Sequence, residues 1–453
     1  MQDLTQGSVV RHLIGMGAFI GAGLVFQTMY FLIDLYFVAQ IGEEAAAGVS
    51  AAGITFFLVF AMTQMVSVGS MALIAHAVGA KDSKRADLIF NQGVALSLGL
   101  AAITCVLGYS FGDEAVGGLT ADAATAQQGR EYLFAFLPAL ALMYPTITLG
   151  SALRGAGVVA PTMVIQTSSL ALNALLAPVL IAGWGTGVPL GVAGAGWAST
   201  IAGVYGFIAS LIVFPRVQKL LRVHIRSLKP RFEMWGRILA IGLPTAGEMF
   251  LMFCIFGVVY WVTRQFGADA QAGFGIAGRI MQAFFLPAMA VSFAAGPIIG
   301  QNFGAKRFDR VRETFSKAAL IGSGMMFTMS ILCMWKPEMF MHIFTSEDDV
   351  VDVGSTYLHI LSWNFVASGL AFTCSALFQG LGNTMPSLFA SASRLLTYAA
   401  PAIWWSMQPG AKIEHFWYMS VAATTVQAAI ALAFAWRELR RKLGRAPISA
   451  EAA

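Results

Sequence analysis

The chain is poor in the residues that build soluble catalytic sites. Only 11% of its 453 residues are Asp, Glu, Lys or Arg, against roughly 25% in an average soluble domain. Its four cysteines, Cys105, Cys254, Cys333 and Cys374, lie in apolar runs and form no CxxC pair. They suit small packing residues better than disulfide or metal partners. The six histidines form no HExxH cluster, and there is no Walker loop and no GxGxxG opening a βαβ unit. Any transport would draw on an ion gradient, with no ATPase subunit implied. With no nucleophile–base or metal constellation, an enzyme is not expected.

What is present in excess is apolar surface. The apolar fraction is 57% and the mean hydropathy is +0.71. A bilayer-spanning helix needs roughly 20 mostly apolar residues, and twelve such stretches occur: 13–40, 50–77, 88–111, 132–153, 159–183, 188–214, 237–265, 273–300, 313–335, 355–379, 384–407 and 413–436. They are too long and too uniformly apolar for barrel strands. The prediction is an all-α membrane protein of twelve helices. The first stretch lacks a cleavage site after a short apolar core and is expected to remain in the membrane.

The few charges are distributed unevenly. The N-terminus and alternate loops carry Arg11, Lys81, Lys84, Arg85, Arg154, a run from Arg216 to Arg237, Lys306 to Lys317, and Arg437 to Arg445. The opposite loops carry few cations and many acids, including Glu43, Glu44, Asp113, Asp122, Asp269 and Glu347 to Asp352. The positive-inside rule places both termini in the cytoplasm, here of a cell inner membrane. The net charge of +5 is spread over those loops and is no nucleic-acid footprint.

The chain also repeats itself at an offset of 225 residues. Gly42, Gly48 and Gly53 return as Gly267, Gly273 and Gly278; Gly79-Ala80-Lys81 as Gly304-Ala305-Lys306; Gly155, Gly157 and Pro161 as Gly380, Gly382 and Pro386. Two copies of six spans enter from the same side, so their pseudo-two-fold axis runs along the membrane normal. The expected organisation is a first lobe over 1–214, a basic cytoplasmic linker over 215–236 lying on anionic headgroups, a second lobe over 237–436 and a basic tail over 437–453.

Ionisable residues inside a membrane are costly and point to function. Asp34 shares one face of the first span with Gln27 and Tyr30, at spacings of three and four. Such a carboxylate can exchange a proton; the alternative is a simple helix-end cap. Glu248 follows Pro244 by one turn, and either serves transport or satisfies groups freed by a proline kink. Neither acid is repeated: Gly23 stands opposite Glu248 and Val259 opposite Asp34. Asn173 and Thr200 are polar groups of spans five and six that could be interhelical glue; Thr425 repeats Thr200, whereas Tyr398 replaces Asn173. Arg394 is expected to snorkel to the cytoplasmic interface. Kinks are expected at Pro138, Pro145, Pro244, Pro287, Pro297 and Pro401.

Three features make the chain resemble the MATE family of multidrug and toxic compound extrusion transporters: Tyr30-x3-Asp34-x7-Gly42 with Ala45-Ala-Ala-Gly48, the paired Gly-Ala-Lys, and Arg154-Gly-Ala-Gly157-x3-Pro161 echoed by Gln379-Gly-Leu-Gly382-x3-Pro386. The resemblance implies two six-helix lobes and export of a small molecule in exchange for H⁺ or Na⁺, with no further cofactor. It also implies a cation site at Asp34, Asn173 and Thr200. The usual second span-five acid is replaced by Ala177, which favours H⁺, since Na⁺ prefers several hard oxygen ligands. Lipophilic cations are the expected cargo and a monomer the expected state. The rival readings are a lipid-linked oligosaccharide flippase and a non-transporting receptor or scaffold.

Overall fold

In an apolar phase every backbone N–H and C=O must find its partner within the segment, which makes long apolar runs helical. The computed structural model describes residues 3–120, 122–185, 187–219 and 221–444; the side chains of residues 30–35, 225 and 443 lie outside the described part. In the first half the helices are α1 (Val9–Ala39), α2 (Glu43–Gly79), α3 (Ser83–Gly117), α4 (Ala123–Gly155), α5 (Ala160–Ala182) and α6 (Gly191–Val217). In the second they are α7 (Phe232–Thr263), α8 (Ala268–Gly304), α9 (Phe308–Trp335), the short α10 (Pro337–Met341), α11 (Asp348–Leu361), α12 (Asn364–Gly380), α13 (Met385–Ser406) and α14 (Ile413–Leu443). Among the described residues there is no strand.

Ten of these helices are long and apolar enough to cross a membrane, and α11 with α12 forms an eleventh span bent by 56°. The twelfth is α13, whose 22 residues reach about 33 Å. One of its faces carries Ser387, Ser391 and Arg394. The tenth span, expected to be continuous, is thus broken at Ser362-Trp363, where no proline stands. The Ser330 hydroxyl of α9 donates to the Ser362 carbonyl at the break (2.8 Å). The corresponding helix of the first half, α4, runs unbroken through Pro138 and Pro145.

The repeated motifs are helix stops and close approaches. After α2 and α8, Lys81 and Lys306 both take φ 58°, the left-handed turn that ends a helix. Asp82 N–H then reaches back to Ala77 O and Arg307 N–H to Asn302 O, each at 2.9 Å. Gly157 (φ 81°) and Gly382 (φ 69°) end α4 and α12 in the same region, where only glycine is free of strain. Gly155 and Gly380 stand where a methyl would meet the Met71 carbonyl at 2.9 Å and the Gly296 carbonyl at 2.7 Å.

The chain forms two compact units, the first mainly Ala22–Gly242, the second Leu4–Gly21 with everything from Leu243 onward. Helices α1 and α7 are therefore each shared. Within the second unit, the start of α1 lies on α8, with Gly17 facing the Ala290 carbonyl; within the first, the start of α7 lies on α2, with Gly242 facing the Met65 carbonyl. These two contacts are related by the same 225-residue offset.

Residues 222–231 are not a loose strap. Three side chains of α3 hold their backbone: Asp87 accepts from Arg222 N–H (2.8 Å), Asn91 donates to Arg222 O and accepts from His224 N–H (both 2.8 Å), and Gln92 donates to Ser227 O (2.6 Å) and accepts from Arg231 N–H (2.7 Å). In the second unit Gln301, Asn302 and Arg307 hold Leu4 and Thr5 similarly.

Candidate functional site

Among the described residues, a polar cluster within a span is centred on Glu248. Helix α7 carries the half-buried carboxylate one turn beyond Pro244, and α12 and α13 bring hydroxyls to it. Ser387 Oγ lies 2.8 Å from Oε2, Ser375 Oγ 3.3 Å from Oε2 and Ser391 Oγ 3.5 Å from Oε1. Behind them, Gln379 donates to Ser375 Oγ (3.3 Å) and Gln427 of α14 to Ser391 Oγ (3.1 Å). No ion pair among the described residues involves Glu248. Each serine has one hydrogen, so all three can donate to a carboxylate. Ser387 and Ser375 are also 3.1 Å apart, so a protonated Glu248 can donate to Ser387 while that hydroxyl turns to Ser375. The cluster can thus hold the acid in either protonation state.

The partners of Glu248 among the described residues are side chains of α12 and α13. Sequence reasoning singled out Glu248 but missed its serines and glutamines. Their signal was available: Ser375 with Gln379, and Ser387 with Ser391, are i, i+4 polar pairs in otherwise apolar helices.

In the first unit, Asn173 is fully buried and its amide donates to Ser199 Oγ of α6 (3.3 Å). Thr200 is 5% exposed, and its hydroxyl donates to the Ala135 carbonyl of α4 (2.6 Å). That bond ties α6 to α4. Its repeat mate Thr425 is exposed and bonds only within its own helix, to Val421 O. Gln27 lies exposed on α1. The α1 backbone runs through positions 30 and 34, while the side chains of Tyr30 and Asp34 lie outside the described part. The electrostatic neighbours of Arg394 are the buried Tyr357 and Tyr398. Tyr398 is one turn farther from the start of α13 than Arg394 is.

Comparison with known proteins agrees with this architecture. The MatE family model matches twice, over residues 20–179 and 244–404. The chain is similar to the multidrug export protein MepA of Staphylococcus aureus (strain MSSA476), 24% identical over 368 residues that cover 80% of this chain and 79% of that protein. It is also similar to the probable multidrug resistance protein YoeA of Bacillus subtilis (strain 168), 24% identical over 375 residues and 81% of both. Its fold matches an outward-facing multidrug resistance MATE family transporter of the MOP superfamily, with TM-score 0.89, 21% identity and 98% coverage of both chains. A MOP superfamily transporter from Pyrococcus furiosus matches with TM-score 0.89 and 21% identity, over 97% of this chain and 98% of that one. With one match of the family model in each half, coincident with the internal repeat, the chain is a multi-pass membrane protein that belongs to the MATE family of transporters.

Proposed function

We propose that this protein is a proton-driven antiporter that exports lipophilic, cationic drugs or toxic metabolites by alternating access. The observation that carries the proton assignment is Glu248, a membrane-embedded carboxylate held by three serine hydroxyls and no cation among the described residues. A hydroxyl belt serves both the acid and its anion, whereas Na⁺ needs several oxygen lone pairs turned to one centre. In the first unit one further observation supports the same reading. Ala177 stands where a second acid would ligate a metal ion.

In this reading Asp34 and Glu248 are deprotonated when facing outward. Proton binding removes charge that held the cationic cargo, releases it, and permits the return. Gln27, Tyr30 and Asn173 tune Asp34. The transporter is a monomer in the cell inner membrane with both termini cytoplasmic, where its basic loops meet anionic headgroups. It requires no cofactor beyond the coupling ion.

The test is uptake of a fluorescent lipophilic cation into proteoliposomes. A proton gradient without sodium is expected to drive accumulation, and a sodium gradient at equal pH is not. Sodium-driven uptake at equal pH sinks the proton assignment; uptake by neither gradient sinks the antiport reading.

A further inference from the structure

The Glu248 cluster has an outer layer. Gln379 stands at the end of α12 and Gln427 near the middle of α14. Among the described residues, the side chain of each makes one hydrogen bond, and both bonds go to serines of Glu248: Gln379 Nε2 to Ser375 Oγ (3.3 Å) and Gln427 Nε2 to Ser391 Oγ (3.1 Å). Between Ser420 and Trp436 of α14, Gln427 is the one amide, and a polar group embedded there is costly unless it is bonded. Neither glutamine belongs to the duplicated frame, since the repeat puts Arg154 opposite Gln379 and Ala202 opposite Gln427.

A serine hydroxyl has one hydrogen and two lone pairs. An amide N–H fills a lone pair and cannot take the hydroxyl hydrogen, so that hydrogen must point elsewhere. Among the described side chains, Ser391 then meets Glu248 Oε1 (3.5 Å), and Ser375 meets Oε2 (3.3 Å) and Ser387 Oγ (3.1 Å). The accepted bond also polarises each hydroxyl and makes it a stronger donor. Ser387 has no amide behind it among the described residues. Its hydrogen faces Oε2 at 2.8 Å and Ser375 Oγ at 3.1 Å, so it is the hydroxyl free to turn when the acid gains its proton. No ion pair among the described residues brings a full charge to this set. Helix α12 carries no Asp, Glu, Lys, Arg or His, and α13 carries Arg394 alone, three residues beyond Ser391. On α14, Glu414, His415 and the run from Arg437 to Lys442 are at least ten residues from Gln427. On α7, Glu233 and Arg237 come at least eleven residues before Glu248.

We propose that Gln379 and Gln427 are positioning residues for proton coupling: through Ser375 and Ser391 they hold two hydroxyls as fixed donors to Glu248 and leave Ser387 as the one that turns with the proton. The inference rests on the reading of Glu248 as a proton carrier and deepens it. Loss of either amide lets its serine turn away, takes a donor from the carboxylate and makes the acid keep its proton to higher pH.

Two readouts keep the proposal apart from that reading. One is an infrared titration of the purified protein, following the carboxylic-acid C=O band that is absent in Glu248→Gln. The other is the pH profile of proton-driven uptake into proteoliposomes. Gln427→Met and Gln379→Met keep the length of each side chain and remove its amide, and a melting curve is taken for each. Both are expected to move the band's midpoint upward by about half a pH unit, the size of a weakened hydrogen bond, with the uptake profile following. The shift from Gln427→Met is expected to vanish in a Ser391→Ala background, and that from Gln379→Met in Ser375→Ala, because each glutamine acts through its serine. A midpoint unmoved in a variant that melts normally overturns the role of that glutamine, and one unmoved while the melting temperature falls makes the amide a packing group. A shift that persists in full without the serine also overturns the proposal. If the band moves as expected and the uptake profile does not follow, the positioning stands and the proton-carrier reading of Glu248 fails; a band that appears at no pH sinks both.

Discussion

The two units share a frame and invert a charge. Where the second unit has Glu248 with Ser375, Gln379, Ser387, Ser391 and Gln427, the repeat places Gly23 with Gly150, Arg154, Thr162, Gln166 and Ala202 in the first. Both places are built. A methyl on Gly23 would lie 2.7 Å from Gln166 Oε1, and one on Gly150 3.1 Å from Thr162 and 3.9 Å from Arg154. The first unit thus fills with Gln166 and a cation the place that holds an acid in the second. Arg154 reaches across to Ser67 of α2 (3.2 Å), while its counterpart Gln379 donates to the Ser375 hydroxyl beside Glu248. A duplicated frame keeps its helix stops because every copy needs them. Its embedded polar groups are free to diverge, because each copy needs only to satisfy its own.

The sharpest way to break this asymmetry is Glu248→Gln. It keeps the serine contacts and removes the proton site, and is expected to lower proton-driven uptake about a hundredfold, within the range of a lost acid–base group. Asp34→Asn tests the first unit by the same assay. Retained proton-driven export in either variant removes that acid from the coupling mechanism. Ser387→Ala takes the shortest hydrogen bond from the carboxylate and is expected to shift the pH midpoint of transport upward, since the lost donor favours the charged form. An unchanged pH profile would leave Ser387 a packing residue.

A further prediction concerns the shared frame. Gly242→Ala forces a methyl into the Met65 backbone carbonyl and is expected to destabilise the protein by about 1–3 kcal/mol. Gly17→Ala, its repeat mate, has 3.7 Å to the Ala290 carbonyl and is expected to be neutral or to stabilise by about 0.5–1 kcal/mol. Melting in detergent separates them, and equal effects would mean the two crossings are closer copies than their spacing indicates.

The smallest effect is expected at the matched helix starts. Asp122 caps α4, accepting from Thr125 N–H (2.8 Å) and its hydroxyl (2.7 Å), whereas Glu347 at the start of α11 makes no side-chain cap bond. Those Thr125 donors hold the Asp122 carboxyl below its usual range. Its contribution is therefore present above the unfolded carboxyl pKa and lost as pH falls through the lower folded value. Asp122→Ala is expected to lower the melting temperature at neutral pH and to do so less under acid, whereas Glu347→Ala leaves it unchanged. An equal shift at both positions, or one independent of pH, removes the cap as its cause.

Much of this was legible in the chain. The apolar runs announced the helices, and the repeated Gly-Ala-Lys and Gly-x-Gly turned out to be left-handed helix ends. Glu248 stood out as an acid in an apolar helix. Other features were not legible. The break at the proline-free Ser362-Trp363, where a serine of another helix takes up the carbonyl, had no local signal. Arg394 has Tyr357 as an electrostatic neighbour, more than thirty residues earlier in the chain. Thr200 matched a cation-site position, and its bond to the Ala135 carbonyl of α4 could not be read from the chain.

By itself, then, the sequence determined that the chain is helical and membrane-embedded, that it is double, and where its helices stop. Each of these follows from backbone hydrogen bonding and residue conformation within a few positions along the chain. Only the tertiary structure decided which polar groups meet. It brought three serines to Glu248, kept Arg394 out of any ion pair among the described residues, and shared α1 and α7 between the units. Those outcomes depend on which helix faces lie against one another within each unit, and a side chain's partners there are set by packing at distances that no local pattern encodes.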